Sequence, residues 1–195
     1  MHLKLAKKTI ESIAGKIESF RAPALRLGNY TPAILEKVGF RTDSSIAPQR
    51  FDGPLTFGSL RKLRWMTAKR NPYFLDKINP FKSGKSKVLE IPVSSAIFAY
   101  QGTTMRVSPN INKLVGDYLH HESSRGNKPI VFLFHPNEAI EETVEPNYEL
   151  RGQSFLSRLF ADKLRRRLKL RNLGSKSIKL LQEVIDKSKE EGHEF

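Results

Sequence analysis

Residues 129–138, PIVFLFHPNE, constrain this chain more than any other stretch. From Pro129 to Phe134 every residue is apolar and most are strong β-formers. That is the pattern of a strand covered on both faces in a parallel sheet. The run stops abruptly at His135-Pro136-Asn137-Glu138. A strand that ends on a histidine delivers a titratable imidazole to the C-terminal edge of a sheet, where open α/β sheets and β/α barrels keep their sites. Taken alone, such a histidine is commonly a plain boundary residue, so its weight depends on what other strand ends carry.

Upstream, the apolar positions set an alternating rhythm. Residues 3–14 place Leu3, Ala6, Ile10 and Ile13 on one helical face, stopped by Gly15. A short strand over 17–20 runs into Arg21-Ala22-Pro23. Thr31-Pro32 predicts a helix start, with threonine as N-cap and proline at the first helical position. Ile34, Leu35 and Val38 supply its buried face and Gly39 ends it. A strand over 40–42 returns and terminates at Asp43-Ser44-Ser45. This is αβαβ with short connections, the rhythm of a parallel sheet.

Residues 47–87 break that rhythm with prolines, glycines and interspersed aromatics. A connection of this length in a compact domain is usually functional or carries strands of its own. The next strand is VLEIPV, 88–93, with 95–100 continuing it or beginning a helix. Pro109 opens a helix with Ile111, Leu114, Val115, Tyr118 and Leu119 as its apolar face. After the 129–134 strand, helices over 155–170 and 177–189 close the chain, separated by Gly174.

At 195 residues the chain is expected to form a single α/β domain, 1–195. No apolar run approaches the ~20 residues of a membrane span. Residues 1–20 carry Lys4, Lys7 and Lys8 without an apolar core, so no secretory signal is read there. Cysteine is absent, which excludes disulfides and thiolate metal sites. The expected location is cytoplasmic, with no membrane partner. Half of the +14 net charge comes from residues 161–179, where eight lysines and arginines face Asp162 alone. Such a patch can attract nucleic acid. Leucines run through it at helical spacing and no nucleic-acid module accompanies it, so it reads as a solvated helix face and nucleic acid is set aside as a partner.

Several chemistries fail on spacing. Gly84-Lys85-Ser86 matches the end of a P-loop, but Asn79 stands where its first glycine belongs. No two of His2, His120, His121, His135 and His193 are three or four apart, and by spacing no metal site is assigned. Asp117 and His121, at i and i+4, read as a surface ion pair. No Gly-x-Ser-x-Gly occurs. What remains is three polar groups at strand ends: Arg21, Asp43 and His135. Parallel strands bring their ends to one face, so the three could meet. An aspartate beside an imidazole raises its pKa and fixes its orientation, giving a general acid.

Phe20-Arg21-Ala22-Pro23, then 39–46 (GFRTDSSI), then Leu133-Phe134-His135-Pro136 resemble, in order and spacing, the back half of the polysaccharide deacetylase family (the NodB homology domain, carbohydrate esterase family 4). The resemblance covers residues 1–140, leaving 141–195 as basic C-terminal helices. It implies an incomplete distorted (β/α) barrel of the deacetylase type. It also implies a hydrolase of carbon–nitrogen bonds that removes acetyl groups from N-acetylated sugars. Intact members use a divalent metal, zinc or cobalt, whose bound water attacks the acetamide.

By the same resemblance, Arg21 orients the catalytic base, the backbone amide of Ala24 contacts the oxyanion, His135 protonates the leaving amine and Asp43 tunes His135. Many members have tyrosine where Ala24 stands, and the tryptophan usual near the aspartate is missing, Trp65 lying outside the motif. The family's Asp-Asp pair and its His-x-x-x-His ligands have no counterpart in this sequence. The resemblance therefore implies a truncated chain without base or metal ligands, inactive by itself and with no cofactor of its own. The expected ligand is an N-acetylated carbohydrate. A barrel opened in this way leaves an unpaired edge near residues 17–20, which implies a homodimer through that edge or marginal stability. The alternative is a non-catalytic carbohydrate-binding or regulatory protein, with Phe51, Phe57, Trp65, Tyr73 and Tyr100 stacking on sugars.

Overall fold

A computed structural model describes residues 2–48, 65–141, 168 and 170–194. The architecture is mixed α/β: an open four-stranded sheet, a small hairpin and five helices among the described residues. The strands are β1 (Ser19–Phe20), β2 (Thr42–Asp43), β3 (Tyr73–Phe74) and β4 (Leu89–Glu90), in the spatial order β1-β2-β4-β3. β1, β2 and β4 are parallel and β3 is antiparallel to β4. The register aligns Phe20, Asp43, Glu90 and Tyr73 in one row across the sheet. Side chains in such a row share a face. β1 and β3 are the sheet's edges among the described residues.

The first helices form where the pattern places them, with altered faces. α1 (His2–Ala14) buries none of its residues. Ala6, Ile10 and Ile13 are exposed, and the side turned to the protein holds Leu3, Lys7 and Glu11. Lys7 decides that rotation. Its Nζ donates to Gly39 O at 2.9 Å and Val38 O at 3.3 Å and lies 4.7 Å from the centre of the Phe40 ring. A cation there offsets the negative C-terminal end of the next helix. That helix, α2 (Thr31–Val38), ends on Gly39 at φ +85°, a left-handed position suited to glycine. Thr31 is its first helical residue rather than its cap, and its hydroxyl accepts the Gly28 N–H at 3.0 Å. Leu35 is fully buried, whereas Ile34 is exposed.

The run 129–134 is extended but is not a ladder strand. β5 (Ser95–Ala96) and β6 (Phe98–Ala99) fold back on each other around Ile97 at φ +62°. The run bonds to the residues flanking this hairpin. Ser94 N donates to Val131 O, and Leu133 bonds Tyr100 O and Gly102 N. Its two sides pack against different cores, but Leu133 alone of the run is buried and Pro129 is exposed. Val131 and Leu133 pack with Ile46, Leu75 and Val93 in the main core, while Ile130 and Phe132 pack with Tyr100, Val115 and Leu119 in a second core. Phe132 meets the Tyr100 ring edge-on at 4.8 Å.

The second core is roofed by α3 (Gly102–Val107), α4 (Pro109–Gly126) and the C-terminal α5 (Ser175–Glu190). On α4, Val115 and Leu119 are buried as expected. Leu114 and Tyr118 are exposed, and Asn112, His120 and Ser123 take inward positions instead. The helix expected over 155–170 falls almost wholly outside the described residues, as does much of the basic stretch 161–179. No described helix is long and apolar enough to cross a membrane.

Candidate functional site

Three parallel strands end side by side, and the residues that follow them build the site. After β1 comes Arg21, exposed, whose Nε donates to Ser44 O and whose second amino group donates to Ser44 Oγ, both at 2.8 Å. The chain then turns sharply through Pro23–Leu25, with Ala24 at φ +53° and Leu25 at φ +54°. Left-handed backbone is uncommon for residues with a Cβ. Here the Ala22 N–H, donating to Ser45 Oγ at 2.8 Å, and the buried Leu25 side chain hold the turn from both ends. Ala24 itself is exposed at the tip.

Behind this turn, Asp43 at the end of β2 lies against Glu90 at the end of β4, both sealed from solvent. The Ser45 hydroxyl donates to Asp43 Oδ1. Glu90 Oε1 accepts the amides of Ser45 at 3.2 Å and Ile46 at 2.9 Å. Burial pushes the Asp43 carboxyl up, opposed by its hydrogen bonds and the nearby Arg21 charge. Glu90 is pushed up much further, by burial first and then by the Asp43 charge. Tyr73, in the same row, is raised by burial and by both carboxyls, and its hydroxyl donates to Pro80 O at 2.9 Å.

His135 sits elsewhere in the hydrogen-bond network. It is exposed and opens the turn Pro136–Ala139, its N–H donating to Glu138 Oε2 at 3.2 Å. Glu138 is buried and paired with Arg106 at 2.9 Å. The groups acting on Asp43 are Ser45, Glu90, Ser44 and Arg21. No hydrogen bond or ion pair joins His135 to Asp43 or Arg21. The structure thus joins Arg21 and Ala22, at the start of the turn that carries Ala24, to Asp43 through Ser44 and Ser45, and it anchors His135 through a separate carboxylate.

Two residues of this arrangement escaped sequence reasoning. Glu90 is the acid inside VLEIPV, and a lone charge in an apolar strand was its signal. Glu138 stands three residues after His135, the spacing of a capping box. Of the aromatics proposed for sugar stacking, Trp65, Tyr73 and Tyr100 are buried, and Phe51 and Phe57 lie outside the described residues. Asp43 and Glu90 make a poor fit to a zinc or cobalt centre, which wants ionised or imidazole donors in a set of three or more. They are two buried carboxyls that resist ionisation, and no described group of three or more histidines and acids could hold a metal ion.

No protein-family model, curated protein or solved structure matches the chain.

Proposed function

We propose that this chain is a polysaccharide-deacetylase-type scaffold for N-acetylated sugars, its open sheet part of a distorted (β/α) barrel. On this reading it carries the supporting half of the site rather than the hydrolytic half. One observation carries most of the support: the exposed Arg21 turn is tied through Ser44 and Ser45 to buried Asp43 at the C-terminal end of three parallel strands. That is where a β/α scaffold assembles catalytic groups. The resemblance gives Arg21 the task of orienting a base and the Ala24 amide that of facing an oxyanion, and both lie at the solvent-facing turn. His135, also exposed, suits a proton donor to a leaving amine.

The nucleophile-generating half is the family's Asp-Asp pair and His-x-x-x-His ligands, and neither motif occurs among the 195 residues. The purified polypeptide is therefore expected to release no acetate from N-acetylglucosamine oligomers, with or without added zinc or cobalt. The same oligomers are expected to shift the backbone resonances of residues 21–25 saturably. Acetate release would overturn the inert assignment, and unmoved resonances would end the sugar reading. The β1 edge, unpaired on its outer side among the described residues, is proposed to pair with a second copy. Sedimentation velocity should give the mass of two chains, reduced to one by Ser19→Pro, which removes an edge N–H.

A further inference from the structure

Asp43 and Glu90 face each other on adjacent strands, at 1 % and 0 % exposure. Each engages one oxygen: Asp43 Oδ1 accepts from the Ser45 hydroxyl, and Glu90 Oε1 accepts two amides. The other oxygen of each, Asp43 Oδ2 and Glu90 Oε2, is buried without a partner. Two ionised carboxylates would leave both as orphaned acceptors beside a like charge, a costly arrangement in a low dielectric. A protonated carboxyl is a donor as well as an acceptor, so one proton satisfies both oxygens at once.

We propose that Asp43 and Glu90 hold a single proton between Glu90 Oε2 and Asp43 Oδ2, and that this proton locks the Arg21–Ala24 turn in place. The lock is a chain of contacts. Glu90 grips the Ser45 and Ile46 amides, Asp43 grips the Ser45 hydroxyl, Ser45 Oγ receives the Ala22 N–H, and Ser44 holds the Arg21 guanidinium. Removing the proton places two negative charges side by side, and the strand ends part where that network is fastened.

The charged and titratable neighbours do not take over this role. Tyr73 flanks Glu90 from β3, but its hydroxyl is committed to Pro80 O, and burial keeps it protonated. Arg21, from the β1 side, directs its hydrogen bonds to Ser44. Phe20, the remaining member of the row, carries no charge. The upward displacement of both carboxyls by burial agrees with the arrangement. The inference goes beyond the deacetylase reading and does not depend on it.

The test is a carbon-13 NMR titration of the side-chain carboxyls of the whole chain, from mildly acidic to alkaline pH, followed together with the amides of Ala22, Ser45 and Ile46. The expected result is one carboxyl of the pair titrating well above the ordinary carboxylate value of about 4, with the three amides moving at the same midpoint. In Glu90→Gln the amide group supplies the donor permanently. That step should vanish and the three amides should stay protected from exchange at alkaline pH. Asp43→Asn supplies the donor from the other side and serves if Glu90→Gln does not fold. Both carboxyls titrating in the ordinary range would overturn the proposal. So would a carboxyl step that leaves the three amides unmoved, and the wild-type titration settles either outcome without a variant.

Discussion

Glu138 is the residue on which the second half of the chain converges. Its Oε1 accepts from Arg106 Nε at 3.1 Å, from a second Arg106 nitrogen at 2.9 Å and from Thr103 Oγ1 at 3.1 Å. Its Oε2 takes the His135 N–H, and its carbonyl takes the Gly174 N–H at 3.1 Å. Arg106 in turn donates to Arg171 O at 2.8 Å. Gly102 packs so closely that a Cβ there would collide with Glu138 Oε2. Removing one member of a buried ion pair leaves the other charge uncompensated, at a cost of about 3–5 kcal/mol. Glu138→Ala should therefore lower the urea unfolding free energy by about that amount. The His135 backbone resonance should move as well, since its anchor is lost. A loss within the range of ordinary surface substitutions would show that the pair is solvated rather than buried.

At the scale of elements, α1 and α2 make contrasting cases. α1 has the stronger amphipathic pattern, yet Ile10 and Ile13 are 50 % and 86 % exposed. Its attachment runs through Lys7 on the end of α2. Ile13→Lys should change stability by no more than about 0.5 kcal/mol, as surface substitutions do. Leu35→Ala on α2 removes a side chain sealed in the main core and should cost about 2–5 kcal/mol. Equal effects of the two in denaturant unfolding would mean that the α1 stripe is covered. A second comparison lies on α4. Glu122 is held by Arg70 at 2.5 and 2.7 Å and by Lys128 at 2.7 Å, contacts that pull its carboxyl down to about 2. Glu122→Ala should cost about 1–2 kcal/mol, after allowing for solvent screening of a half-buried carboxylate.

For the molecule as a whole, the buried acids set the pH dependence. Asp43 and Glu90 bind protons more tightly folded than unfolded. Their contribution is fully present below the ordinary carboxylate values and is lost as pH rises through the raised ones. Glu122 runs the other way: its contribution is present above the ordinary glutamate value and lost as pH falls toward about 2. Burial also holds the His120 imidazole below its ordinary value, so stability falls as pH drops under about 6.5. Tm measured at matched ionic strength should accordingly decline as pH rises through the raised titration of the acid pair, and Glu90→Gln should flatten that limb. A wild-type Tm that is level or rising there would contradict the assignment.

Much of the chain's local structure was legible in its residues because local forces determine it. Thr31-Pro32 and Gly39 bracket α2, Gly15 closes α1, Pro109 starts α4, and the two sides of the 129–134 run pack against different cores, in keeping with its unbroken apolarity. What the tertiary structure decided depends on which surfaces meet. Lys7 turned α1 away from its apolar stripe. The 129–134 run meets only the residues that flank the hairpin at Ile97, through single bonds and a bridge rather than a ladder. At the candidate site, motif spacing located Arg21 and Asp43 at adjacent strand ends, but the partner of Asp43 is Glu90, 47 residues away. Strand register is a long-range property, and only the pairing of β2 with β4 brings those two acids into one row.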